Sequence, residues 1–364
     1  MSEGVFKYTN DIFFLEDKLP FNKTRYLVGS QEKESYISVN KSQYMILEKI
    51  YKLTQEKNYT FSEIEDYLIN KMHKKIDVNN LYENLSKKGL MENTINLSPN
   101  NEVNMISTDI LNFEVDEIPK TIVRIIKVLS KLSILFKILS IVFIGIILFN
   151  IDKLMHIRGS VFVYDNSSIK GFVISMLVAI VIILIHEFAH VFAAINVGLR
   201  DIQFYMVLYV KFIPMYYTKY SKLMQLEYKK KIRVLSAGLK TNVFLLLLSL
   251  ASICVIDMNQ MAYDIMVKFS VVNTYFILLN CSPFISNDGY FILTNTFGID
   301  SLRLNLWKTI INVFKRQKVA KIKNKFVLTY MVISTVFLIG SFVSMFLWIK
   351  DVVIEIIKGV QTFI

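Results

Sequence analysis

Cysteine and histidine are scarce in this chain. Two cysteines among 364 residues, Cys254 and Cys281, exclude a disulfide framework. Both lie in apolar blocks, and the plain expectation for Cys281 is a buried small apolar side chain. No basic segment followed by an apolar core opens the sequence, so MSEGVFKYTNDIFF is not read as a secretory signal. Acidic residues are outnumbered, 30 against 42 Lys and Arg, for a net charge of +12. In a soluble protein that excess would point to nucleic acid. Here it lies mostly in loops between apolar blocks, as the positive-inside rule requires of a membrane protein. There are only four histidines, and two of them fall within five residues of each other.

Apolar residues make up 53% of the chain, but they are unevenly spread. Residues 1 to about 120 are charged and polar with short apolar periods, and long apolar blocks follow. Crossing a bilayer as a helix takes about 20 mostly apolar residues. Five stretches qualify: 132–149, 171–195, 234–256, 263–283 and 326–349. Before the first, PKTIVRIIKVLSK (119–131) carries Lys120, Arg124, Lys127 and Lys131 at helical spacing, which suits a basic amphipathic lead-in on an anionic membrane face. The loop 198–233 holds eight Lys or Arg and 287–325 another eight, whereas 257–264 holds none. This alternation places the N-terminus and the two basic loops on the cytoplasmic side.

The second span contains LIHEFAH, residues 184–190. An ionisable residue at the bilayer centre costs about 2.5–3.5 kcal/mol on insertion scales. Three such groups persist where they pair, face a wet cavity or do chemistry. His186 and His190 are four residues apart and so share one helical face. Two imidazoles at that spacing can bind one Zn²⁺, with Glu187 beside them as general base, the HExxH arrangement of zinc hydrolases. The alternative is a chance motif in a packed helix. His73 and His156 are expected to be solvated surface residues.

A catalytic zinc needs a third protein ligand and an open position for water. The fourth span ends in VNTYFILLNCSPFISNDGYFIL (272–293), where Pro283 should break the helix and Asp288-Gly289 marks a turn. The loop charges put this end on the same side as His186 and His190, so Asp288 is the expected third ligand. Zinc would lower the pKa of its water to about 7, and Glu187 would pass that proton to the leaving amine.

Taken together, HEFAH in one span and Asn280-x-x-Pro283-x-x-x-x-Asp288-Gly289 in a later one resemble the site-2 proteases, a family of intramembrane zinc metalloproteases. A third family element, Gly-Pro-x-x-Asn, has its counterpart in Gly238-Leu239-Lys240-Thr241-Asn242, with leucine in place of proline. The continuation Asp-Gly-Tyr is more like the branch found with peptide-modification systems. The resemblance covers about 165–300. It implies that His186, His190 and Asp288 hold Zn²⁺, that Glu187 activates water, and that Asn242 and Asn280 hold the substrate strand or the developing oxyanion. Asparagines that merely bond between membrane helices are the alternative for these two.

Ahead of the spans, RYLVGSQEKESYISVN (25–40) reads as two short strands around a polar turn. Tyr44, Leu47, Ile50 and Tyr51 form a helical stripe. Thr60 and Glu63 form a capping signature for a helix that continues through Ile64, Tyr67 and Leu68. Val78, Leu81, Leu85 and Leu90 make a third helix, ending near Gly89. A hairpin with three helices is a small winged-helix-like unit. Over about 20–93 it resembles the peptide-recognition element of ribosomal-peptide modification systems, which implies capture of a leader peptide as an added strand. A DNA-binding winged helix is the alternative, but no basic stripe marks a recognition helix, and nucleic acid is not expected as a partner.

The expected protein is mainly α. It has a winged-helix-like α+β domain (1–95), a linker and lead-in (96–131), a polytopic membrane helix bundle of about five spans (132–349) and an interfacial tail (350–364). The apolar stretch 202–217 (IQFYMVLYVKFIPMYY) has strand-like composition. It is expected either to dip into the bilayer as a hairpin that holds substrate or to form an apolar surface loop. The expected activity is an intramembrane zinc endopeptidase of a bacterial plasma membrane, acting on a modified ribosomal peptide bound through its leader. Alternatives are a membrane-anchored anti-sigma factor or signal-peptide remnant as substrate, and a non-proteolytic export or immunity protein with a structural metal.

Overall fold

The computed structural model describes residues 5–31, 35–92, 107–115, 124–126, 133–155, 167–200, 202–209, 213–220, 222–258, 260–281 and 287–299, with isolated positions elsewhere. It is mainly helical, with three long apolar helices and a small N-terminal β-sheet region with helices packed on it.

The N-terminal region opens with β1 (Val5–Phe6), β2 (Ile12–Leu19), β3 (Lys23–Ser30) and β4 (Ser35–Val39). The two strands expected in 25–40 are β3 and β4. The strand β2 was not foreseen, and it makes the hairpin a three-stranded antiparallel sheet in the order β2-β3-β4. Its turn is carried by Phe21 and Asn22, both at positive φ, without the glycine that usually announces such a turn. Helix α1 (Lys41–Glu56) starts at a reciprocal cap. The Asn40 side chain accepts from the Gln43 N–H, and the Gln43 side chain accepts from the Asn40 N–H. Strand β5 (Tyr59–Thr60) pairs with β1, and α2 (Phe61–Met72) begins at the expected Thr60–Glu63 capping box. It ends at His73, which is exposed and left-handed. Helix α3 (Val78–Ser86) is capped by Asp77.

The apolar stripes of these helices converge on one core. Phe6, Val28, Ile50, Ile64, Leu68 and Leu90 are fully buried there, and the Phe6 ring meets Tyr8, Phe61 and Tyr82 edge-on. Burial pushes the Tyr8 hydroxyl far above the usual phenol range.

The stretch expected as a strand-like hairpin is one: β7 (Ile202–Tyr209) pairs antiparallel with β8 (Ile213–Tyr220). A third strand joins it. Residues of β6 (Ser107–Val115), expected to belong to a linker, pair with β7. The register shifts between Asp109 and Leu111, and this irregularity breaks the alternation by which a strand is read from sequence.

The helices that follow are α4 (Ser133–Phe149), the short α5 (Ile151–Met155), α6 (Ser168–Asn196), α7 (Tyr228–Leu235), α8 (Ala237–Val255), α9 (Met261–Cys281) and α10 (Asp288–Phe297). Within α6, α8 and α9, the segments Lys170–Asn196, Ala237–Val255 and Met261–Cys281 are long and apolar enough to cross a membrane, and α4 is shorter. Helix α8 packs against α4, α6 and α9. The fifth expected span (326–349), the tail (350–364) and the lead-in (119–131) fall mostly outside the described residues, as does His156. Cys254 is buried but Cys281, expected to be buried, is exposed at the end of α9.

The chain divides into two compact units. The first gathers Met1–Pro119, Val197–Ile232 and Thr296–Gly298, and the second gathers Lys120–Asn196, Arg233–Asn295 and Ile299–Ile364.

Candidate metal centre

The second unit brings together three groups from distant parts of the sequence. His186 and His190 lie on one face of α6, and Asp288 is the first residue of α10. Their ligand atoms form a nearly equilateral triangle. The two Nε2 atoms are 3.2 Å apart, Asp288 Oδ2 is 3.0 Å from His190 Nε2, and it is 3.2 Å from His186 Nε2. Both imidazoles are buried, at 6% exposure each.

The second nitrogen of His190 decides what this triangle is. His190 Nδ1 lies 2.8 Å from the Val234 carbonyl oxygen, and a carbonyl can only accept. Nδ1 therefore carries the proton, and in the neutral ring Nε2 presents a lone pair. With a lone pair on each imidazole Nε2, the three ligand atoms could converge on one cation. Bonds of about 2.0–2.1 Å to a tetrahedral ion put its ligand atoms about 3.3 Å apart, close to the spacing found. The group can hold a metal ion, and two nitrogens with one carboxylate oxygen suit a borderline divalent ion.

Two glycines make the approach possible. A Cβ on Gly238 of α8 would come within 2.4 Å of His186 Cε1 and 2.5 Å of both Nε2 atoms. A Cβ on Gly289 would meet the Cys281 and Asn280 carbonyl oxygens at 2.5 and 2.6 Å. Only glycine lets α8 lie against the imidazoles and the start of α10 lie against the last turn of α9.

The remaining sequence-derived candidates are placed as follows. Glu187 is half-buried and follows His186 directly on α6. Asn242 is fully buried one helical turn beyond Gly238, on the same side of α8. Neither atom of its side-chain amide has a hydrogen-bond partner among the described residues, and the same holds for His186 Nδ1. Asn280 is half-buried in the last turn of α9, and its backbone carbonyl lies against Gly289. No family model matches this chain, and no curated protein or solved structure is significantly similar to it.

Asn273 was not singled out from the sequence. It is fully buried on α9 and donates from Nδ2 to the Asn242 carbonyl at 2.8 Å, while its Oδ1 has no partner among the described residues. Across the same helix pair, the hydroxyls of Ser270, one turn before Asn273, and Ser249, two turns after Asn242, meet at 2.8 Å. The available signal was simple: an asparagine inside an apolar span needs a partner on a neighbouring helix.

Proposed function

We propose that this protein is an intramembrane zinc endopeptidase. The observation that carries the reading is the convergence of His186 Nε2, His190 Nε2 and Asp288 Oδ2 on one point, with Glu187 next in sequence to the first of them. The HExxH order and the later Asp-Gly resemble the site-2 proteases and assign the remaining roles. Two neutral imidazoles and one carboxylate would hold Zn²⁺ and leave it with a net positive charge. The bound ion would supply an acidified water and polarise the scissile carbonyl. Glu187 takes the proton of the attacking water and delivers it to the leaving amine. The amide of Asn242, buried one turn from Gly238, holds the substrate carbonyl or the charge that develops on it. A second role of this kind for Asn280 rests on the family resemblance.

A transmembrane substrate must unwind before its carbonyls can be attacked. The hairpin β7–β8 offers a sheet on which an unwound strand can pair. The N-terminal sheet, read as winged-helix-like, captures the leader of a ribosomally made peptide. Among the described residues its edge strand β4 pairs on one side only, with β3, and so can accept a peptide strand on the other. The charge pattern of the loops supports a cytoplasmic side for this domain, and the Lys- and Asn-rich composition supports a bacterial plasma membrane.

Peptides from cells carrying the wild-type protein or Glu187→Gln, compared by mass spectrometry, test the reading. The expected result is one cleaved species lost in the variant while about one zinc per chain is retained. Identical peptides from both strains reject the protease. Binding of a leader peptide to the full chain, but not of a membrane-anchored anti-sigma factor, separates the two substrate classes.

A further inference from the structure

Asp17 and Lys231 form an ion pair across 214 positions of sequence, Nζ to Oδ2 at 3.0 Å, and both are buried, at 2% and 0% exposure. The other carboxylate oxygen, Oδ1, accepts from the backbone N–H of Tyr228 at 2.7 Å. Tyr228 is the first residue of α7, so one β2 side chain both caps this helix and binds a lysine on its first turn. The β2–β3 hairpin makes a second set of contacts, with the last residue of α10 and the glycine after it. Phe21 stacks on Phe297, with ring centroids 6.1 Å apart, and Leu19 lies against Gly298. The Tyr228 hydroxyl, 3.3 Å from Thr296 Oγ1, ties the beginning of α7 to the end of α10.

The opposite ends of the same two helices carry groups of the metal centre. The penultimate residue of α7 is Val234, whose carbonyl holds His190 Nδ1. The first residue of α10 is Asp288. Helix α7 is eight residues long, about 12 Å at 1.5 Å per residue, and α10 is ten residues, about 15 Å. Helices this short move as rigid rods. A rotation or axial slip of α7 that displaces Lys231 also displaces the Val234 carbonyl three residues on.

From this we infer that Asp17 and Lys231 are positioning residues of the metal centre: they set the rotation and axial register of α7 and thereby the orientation of His190. The inference rests on the metal reading of His186, His190 and Asp288. A buried ion pair is seldom worth more for stability than apolar side chains of the same volume, because both charges lose their hydration. What it adds is direction. A carboxylate accepting from one amide and one ammonium admits a single placement of the helix start, whereas an apolar contact tolerates sliding. The hairpin that bears Asp17 belongs to the sheet proposed to bind the leader, so leader occupancy has a physical route to the metal ligands.

The test uses the full-length chain in detergent, stripped of metal. Zinc affinity is measured by competition with a chromophoric chelator, and coordination by the visible spectrum of the Co²⁺ form. Asp17→Leu combined with Lys231→Met refills the volume without the charges. It is expected to fold, with a melting temperature lowered only by the loss of the cap on α7, to bind zinc at least about tenfold more weakly, as loss of support behind a ligand does, and to show an altered Co²⁺ spectrum. Lys231→Met alone, which keeps the Asp17 cap on α7, should show the same change, smaller, and Lys231→Arg should restore wild-type affinity. Wild-type zinc affinity and an unchanged spectrum in either the double variant or Lys231→Met overturn the inference. Failure of the wild-type chain itself to bind zinc or cobalt rejects the metal reading, and this inference with it.

Discussion

The N-terminal domain and the apolar helices bury different mixtures of residue. In the first, the core is Phe6, Ile50, Ile64, Leu68 and Leu90; Lys52, Glu48 and Glu63 lie toward solvent, and the buried Asp17 is paired with Lys231. In α6, Leu184, Ile185 and Phe188 face outward while His186 and His190 are buried, and in α8 and α9 the fully buried side chains include Asn242 and Asn273. Where water is the solvent, burying apolar area drives packing. Where lipid is the solvent, outward-facing apolar side chains cost nothing, and polar groups turn inward to find partners. In the second region, therefore, a buried polar residue marks either helix packing or chemistry.

Substitutions can break or sharpen this contrast. The largest expected effect is at the metal centre. Gly238→Val puts a Cβ within 2.5 Å of the His186 and His190 Nε2 atoms, so the zinc binding proposed for this site should be lost, as read by metal analysis of the purified protein. Next comes a matched pair of leucines. Leu68→Ala, at a fully buried site, should destabilise the N-terminal domain by about 2–5 kcal/mol. Leu184→Ala, on the outward side of α6, should cost less than about 0.5 kcal/mol, because its side chain meets lipid in either state. Equal losses in denaturant titration would mean that α6 is not lipid-facing.

A smaller effect is expected between α8 and α9. Asn273→Ala removes the bond to the Asn242 carbonyl and should cost about 0.6–1.7 kcal/mol in detergent unfolding. An effect of similar size lies at the surface. Thr60→Ala should cost about 1 kcal/mol through loss of the helix cap. The Thr60 N–H, and the Lys57 ammonium beside it, hold the Glu63 carboxyl below its ordinary range. A group depressed in the folded state stabilises it at pH values above its unfolded pKa. That contribution fades as pH falls through the lower folded value, so acid should weaken α2 in the wild type but not in Glu63→Gln, as followed by circular dichroism.

Both regions were readable from sequence wherever the signal is local. The Thr60–Glu63 box, the stripe of Tyr44, Leu47 and Ile50, and the pairing of His186 with His190 all depend on residues three to seven apart, and a helix brings such residues together by its own geometry. The misses share the opposite property. Strand β2 hid behind a turn formed by two non-glycine residues at positive φ, and β6 behind a register shift next to Asp109. Lys231 read as one of eight loop cations that set membrane orientation, yet it is fully buried against Asp17. No window of sequence contains both members of that pair.

The sequence by itself determined the chemistry on offer: which groups can donate a lone pair, which segments are apolar enough to lie in lipid, and that Asp288 has reason to meet two imidazoles about a hundred residues before it. Tertiary structure alone decided how these meet. It fixed the 3.0–3.2 Å triangle, the Val234 carbonyl that sets the His190 tautomer, and the closeness that only Gly238 permits. The reason is physical. Residue type fixes what an atom can bond to, but a ligand triangle is a set of distances between separate helices, and those distances come from packing.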